Sequence, residues 1–342
     1  MIKGRRLISG GLFSFSLWKY DRSYGILVTS VCERGDSVPI LYWLEKIRVP
    51  GLNEFMLAIT TLGEETAFLV IAMIFFWCVD KKKGYYIMAV GFAGTMLNQF
   101  LKLFFRIPRP WVLDENFTIL EQAREAAGGY SFPSGHTQMA VGTFGSIAAS
   151  QEKRWGKVLC ITLAVLVGFS RMYIGVHTPQ DVLVSAMIAV VLIFLLRPTV
   201  LKGSSRSIKM VLGGLILMAL GLFAYVEWFP FPADIDAHNL ESGVKNAYTM
   251  LGSLAAVAIV YVADEKWLHF EVKASLLGQI LKVVLGLLAV LLVKEGLRAP
   301  LNALFGGHMA ARAVRYFLIV IVAGIVWPLT FRFFAKLGKK EK

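Results

Sequence analysis

Cysteine is scarce in this sequence. Cys32, Cys78 and Cys160 are the only three in 342 residues, far apart and without a CxxC pair, which excludes a disulfide scaffold and a zinc ribbon. Charge is scarce as well: 17% of residues are charged, where a soluble domain carries about 25%. No Gly-rich Walker loop and no Asp/Glu cluster suited to Mg²⁺ occurs along the chain. Apolar residues, in contrast, make up 56%, with 24 Phe and 8 Trp, so disorder and collagen are excluded too. This balance is that of an all-α, polytopic transmembrane helical bundle. The net charge of +13 is therefore read as a topology signal rather than as a nucleic-acid surface.

Residues 1–52 contain no clean span. Leu7–Trp18 is apolar but follows Lys3, Arg5 and Arg6 and precedes Lys19 and Arg22. It is too short to cross a bilayer, which takes about 20 residues, and reads as an interfacial segment rather than a cleaved signal. Ile40–Ile47 reads as a second surface-lying helix. From residue 53 the apolar runs predict about nine spans, near 54–79, 84–105, 134–150, 157–175, 181–197, 209–226, 247–263, 275–293 and 314–335. Lys81–Lys83, Lys153, Arg154, Lys157, Arg197, Lys202, Arg206, Lys209, Lys266, Lys273 and the tail Lys336, Lys339, Lys340 and Lys342 all fall on one side. By the positive-inside rule that side is cytoplasmic. The connections 106–133, 176–180, 227–246 and 294–313 then lie outside the cytoplasm.

Three polar clusters share that outer side. The first is Lys102-Leu-Phe-Phe-Arg106-Ile-Pro108-Arg109-Pro110. Proline cannot continue a helix, so the span ends here and Arg109 is free to turn back, although basic residues at helix ends also snorkel to headgroups. The second is Tyr130-Ser131-Phe132-Pro133-Ser134-Gly135-His136-Thr137. Ser134 is a natural N-cap, Gly135 permits close approach, and a helix start is an anion site. The third is Ser170-Arg171, then His177-Thr178-Pro179-Gln180-Asp181. Thr178 and Pro179 begin a helix, and Asp181 either caps it or fixes the tautomer of His177. Three cations, a helix start and two histidines on one side of a bilayer suit phosphoryl transfer. The cations stabilise charge on the phosphoryl oxygens, one histidine attacks phosphorus, and the other protonates the leaving group.

These residues resemble the signature of the type 2 phosphatidic acid phosphatase superfamily. K-x6-R-P is Lys102 to Arg109-Pro110; P-S-G-H is Pro133-Ser134-Gly135-His136; S-R-x5-H-x3-D is Ser170-Arg171, His177 and Asp181. The resemblance covers about residues 36–197. It implies that His177 is the nucleophile, Asp181 its orienting carboxylate and His136 the general acid. Lys102, Arg109, Arg171, Ser134 and the Gly135 amide would hold the phosphate, with no metal or other cofactor. It further implies a helical bundle with its site at the extracytoplasmic end, and lipid phosphates or polyprenyl pyrophosphates as substrates. The bacterial cytoplasmic membrane is the implied home.

The expected organisation is an N-terminal segment 1–52, a phosphatase core 53–197 and additional transmembrane helices over 198–342, to which the signature assigns no role. The family core has six spans, of which five are placed before residue 198. Asp234, Asp236 and His238 read as a polar loop rather than a metal site. Glu64 and Glu65, beside the first confident span, either pair with a cation of the site or mark a helix end. Two readings compete with lipid hydrolysis. One is a phosphotransferase sharing the same phosphoenzyme; the other is a transporter or flippase, which would need the cations but not a tautomer-fixed histidine.

Overall fold

The computed structural model describes residues 38–124 and 127–337. Leu7–Trp18, the arm with Lys3, Arg5 and Arg6, Cys32 and the tail lysines Lys339, Lys340 and Lys342 lie outside the described residues. Among the described residues all regular structure is helical. The helices of nine or more residues are α1 (Val38–Lys46), α2 (Pro50–Thr61), α3 (Glu65–Ile74), α4 (Lys81–Phe105), α5 (Gly135–Ser150), α6 (Arg154–Tyr173), α7 (Pro179–Arg197), α8 (Ser205–Trp228), α9 (Ala237–Ala263), α10 (Leu276–Gly296) and α11 (Ala310–Ile321).

Seven helices are long and apolar enough to cross a membrane, and an eighth span results if the bent pair α2 and α3 counts as one. The expected span at 134–150 is the difference. Ser134 starts α5 by accepting from the Thr137 amide, and the helix stops at Ser150 before Gln151-Glu152-Lys153. Sixteen residues make about 24 Å of helix, short of the roughly 30 Å hydrocarbon core. Gly142, Gly145 and Ser146 let α5 sit closely among α4, α6 and α7, as small residues do between membrane helices.

α4 and α9 are the interior helices. Of their most apolar windows 61% of residues are buried, against 22–39% for the other spans. α4 packs on α5 and α7 on one flank and on α8 and α9 on the other; α9 in turn packs on α11, and α11 on α10. The segment up to α7 and the helices after it therefore share α4 as a common wall. At the N-terminal end of α4, Lys81 pairs with Asp264 at 2.8 Å and Lys82 donates to the Gly203 carbonyl. Lys209 pairs with Glu265 at 2.6 Å. These contacts gather the basic helix ends at one end of the bundle. Lys102 stands about 31 Å further along α4, at a rise of 1.5 Å per residue.

α1 covers the segment expected as a surface helix. Leu41 and Leu44 are buried in one cluster with Phe117, Tyr173 and Ile174, while Trp43 stays exposed. Between α2 and α3 the chain bends by 54° at Gly63. A Cβ there would lie 2.8 Å from the His136 carbonyl oxygen and from Val167 Cγ1, so only glycine lets the bend approach the first turn of α5 this closely. Glu64 and Glu65 thus stand where one helix ends and the next begins.

Candidate active site

The last turn of α4 carries Lys102, whose ammonium is buried and donates to the carbonyls of Tyr130 and Ser131. α4 ends at Arg106, which adopts the left-handed backbone region. Pro108 and Pro110 prevent the helix from resuming directly. Arg109, between them, reaches inward: Nε donates to Gly129 O at 3.1 Å, Nη2 to Gly128 O at 2.9 Å, and Nη1 to Val176 O at 2.9 Å. Nη1 also lies 2.9 Å from His177 Nε2. Four hydrogen bonds from one fork lock the loop 128–131 to the loop 174–178.

That contact fixes the proton on His177. A guanidinium only donates, so Nε2 accepts from Arg109 and Nδ1 carries the hydrogen. Nδ1 lies 3.2 Å from Asp181 Oδ2, to which it donates. The same oxygen accepts from the Thr178 amide at 2.9 Å and from Ser131 Oγ at 2.5 Å. Asp181 thus closes a capping box with Thr178 at the start of α7 and accepts from the imidazole through the same oxygen. His177 is 1% exposed. Burial, and then the positive charges of Arg109, Arg171 and Lys102, hold its pKa well below the ordinary 6.5, so the imidazole is neutral.

Lys102, Arg109, Gly135, His136 and His177 line one cavity of about 460 Å³. Ser134 and Asp181 stand behind it at the starts of α5 and α7, each capping its helix, with the Ser134 hydroxyl hydrogen still available to donate. Arg171 donates through Nη1 to Thr60 Oγ1 at 2.8 Å, and its charge acts on both histidines. Of the eight expected residues, five thus line the cavity, Ser134 and Asp181 stand behind it, and Arg171 lies near enough for its charge to reach both histidines. Lys102, Arg109 and Arg171 are nearly fully buried, and the carboxylates whose charge acts on them are Asp181 and Glu64. Buried charge is costly unless matched. Arg171 Nε and Nη2, His136 Nε2 and both polar atoms of Asn98 are buried without a protein partner. An excess of buried cations with spare donors is built for an anion that offers several oxygens.

Comparison with known proteins identifies the family. The profile of the PAP2 superfamily matches residues 82–203, and that of the PAP2 superfamily phosphatase transmembrane extension matches residues 248–340. Phosphatidylglycerophosphatase B of Bacillus subtilis is 32% identical over 176 residues, covering 48% of this chain and 80% of that protein. The chain belongs to the PAP2 superfamily. It is a multi-pass membrane phosphatase of that family. Undecaprenyl-diphosphatase BcrC of the same organism is 30% identical over 147 residues, covering 42% of this chain and 72% of its own. The crystal structure of the first transmembrane PAP2 type phosphatidylglycerolphosphate phosphatase from Bacillus subtilis aligns with a TM-score of 0.42 and 28% identity, over 51% of this chain and 91% of that one.

Several residues of this PAP2 site were not singled out from sequence. Ser131 belongs to the quoted second cluster, yet its bond to Asp181 spans fifty positions. Thr60 and Asn98 lie in apolar stretches that read only as helix interior. Arg48 fastens the end of α6, with Nε donating to Tyr173 O and Nη1 to Thr118 O, both at 2.9 Å. Gly175 beside it has φ +87°, and a Cβ there would meet Arg48 Nη2 at 2.9 Å. No local pattern announces Arg48; the glycine between two motif residues was the available signal.

Proposed function

We propose that this PAP2 phosphatase hydrolyses a lipid phosphomonoester or polyprenyl pyrophosphate through a phosphohistidine. The observation that carries the reading is the Arg109–His177–Asp181 array: the Nδ1 proton lies on the carboxylate side, so Nε2 carries the lone pair, which becomes the nucleophile once phosphoryl oxygens take over the Arg109 donor. His177 Nε2 bonds to phosphorus as the bond from phosphorus to the leaving oxygen breaks, and His136, which enters as the imidazolium once the substrate's negative charge offsets the burial and the cations that disfavour its protonation, gives that oxygen its proton. Water then attacks the phosphohistidine, His136 takes its proton back, and inorganic phosphate departs with His177 restored. Lys102, Arg109, Arg171, Ser134 and the Gly135 amide hold the phosphoryl oxygens. They supply from the chain itself the positive charge that other phosphotransferases draw from metal ions.

The names of the relatives, phosphatidylglycerophosphatase B, undecaprenyl-diphosphatase BcrC and, in Dictyostelium discoideum, a probable sphingosine-1-phosphate phosphatase, support a lipid phosphate as substrate class. The gathering of basic helix ends at the opposite end of α4 supports a site facing outside the cytoplasm of a bacterial membrane. The test is phosphate release by purified protein in EDTA over phosphatidic acid, phosphatidylglycerol phosphate and undecaprenyl pyrophosphate, with His177→Ala alongside. Release from at least one lipid that vanishes in the variant is expected; release that persists in His177→Ala rejects the nucleophile. An added acceptor alcohol separates hydrolysis from transfer.

A further inference from the structure

A second cavity of about 280 Å³ lies between the phosphatase segment and the extension. Its wall is contributed by α3 and α4 on one side and by α9, α10 and α11 on the other, with Phe92, Val257, Val290 and Ile319 typical of its lining. From Glu65 to Met73 its lining runs about 12 Å along α3, at the helical rise of 1.5 Å per residue, and continues to Phe76 and Trp77 just beyond that helix. It is therefore long and narrow. Its charged lining is confined to Glu65 and Lys294, whose charges act on one another. Glu65 and Thr66 also line the phosphate cavity. A polar chamber with cations and a slender apolar one thus share Glu65 and Thr66 as a common wall.

We propose that this cavity holds one hydrocarbon chain of the substrate, so that the C-terminal extension is the tail-binding half of the enzyme. The inference rests on the lipid-phosphate reading of the site. An amphiphile whose phosphate sits beside His136 and His177 has its first carbons at the bend before Glu65 and Thr66, and the apolar lining between α3, α4 and the extension suits the rest of a hydrocarbon chain. Both candidate tails, a fatty acyl chain and an isoprenoid chain, present this same chemistry.

The experiment is photolabelling of the full-length wild-type protein in nanodiscs. It uses two lipid phosphates bearing a diazirine near the tail terminus, one acyl and one isoprenoid, with labelled peptides read by mass spectrometry. Labels on the cavity-facing residues of α10 and α11 that disappear under excess unlabelled lipid phosphate are expected, and the chain that labels them more strongly identifies the tail. Labels confined to outward residues such as Leu276 and Leu292, or labelling displaced equally by a phosphate-free lipid, would overturn the proposal. In parallel, Val290→Trp narrows the cavity and is expected to lower the ratio of kcat/KM for the long-chain substrate to that for p-nitrophenyl phosphate at least tenfold; an unchanged ratio counts against it. Specific labelling without phosphate release from any lipid would sink the phosphatase reading while leaving tail binding intact.

Discussion

One carboxylate oxygen, Oδ2 of Asp181, accepts from the Thr178 amide, the Ser131 hydroxyl and the His177 imidazole, so its three donors share the task of aligning the nucleophile. Asp181→Asn offers an amide in place of the anion and is expected to cut kcat by on the order of 10³–10⁴-fold, the scale seen when a triad carboxylate is neutralised, with phosphohistidine accumulation lost in parallel. Ser131→Ala removes one charge-assisted bond worth about 1.5–3 kcal/mol, and roughly tenfold in kcat with KM little changed is the expected share of it. The pH profile follows from His177. Protonation of a buried imidazole beside Arg109, Arg171 and Lys102 is disfavoured, so the neutral form persists as pH falls through 6.5. The acid limb of kcat/KM belonging to this group is expected below that value, and Arg109→Gln should move it upward; a limb at or above 6.5 in the wild type would contradict the assignment. Lys102, Arg109, Arg171, His177 and Asp181 were legible in the sequence because each lies at a fixed spacing within a motif. Ser131, Thr60 and Arg48 were not, because their contacts join positions fifty to over a hundred residues apart, which spacing does not encode.

At the scale of single elements, α5 is held from both ends of its first turn. Ser134 caps it by accepting from the Thr137 amide, and the Gly63 bend presses against the carbonyl of His136. Gly63→Ala is expected to push the bend and the histidine apart. Overpacking of this kind costs about 1–3 kcal/mol: a lowered melting temperature by thermal shift, together with reduced kcat, is the expected pair of results. Unchanged kcat would show that the His136 position does not depend on the bend. At the start of α7, Thr178→Ala removes the capping hydroxyl, at about 1 kcal/mol, while leaving the amide bond to Asp181 in place. It should therefore cost stability more than turnover. The caps were readable in advance, since Ser134, Thr178 and Asp181 are residue types with few other reasons to precede an apolar run. The shortness of α5 was not. Its hydropathy continues smoothly from 134 to 150, and only the packing of its small residues among three longer helices shows that it is lined by protein rather than sized to the bilayer.

For the molecule as a whole, the deciding element is α4, whose two flanks serve two halves of the chain. The catalytic motifs lie on one flank, and the apolar faces of α8 and α9 cover the other. A chain truncated after residue 203 keeps every motif residue, yet leaves the second flank of α4 bare. It is expected to lose tens of per cent of its monodisperse fraction by size-exclusion chromatography in detergent and to melt at lower temperature. Equal behaviour of the two chains would make the extension dispensable for folding. Hydropathy revealed that helices follow residue 198 but not that they share a wall with the catalytic ones, because a buried flank and a lipid-facing flank are equally apolar. The shared wall also sets a timetable for biosynthesis. α4 is complete long before α9 has been made, and at about 5–20 residues per second its second flank waits roughly 8–30 seconds in the membrane for its cover. During that interval the nascent protein depends on lipid, or on the insertion machinery, to shield what the extension will later seal.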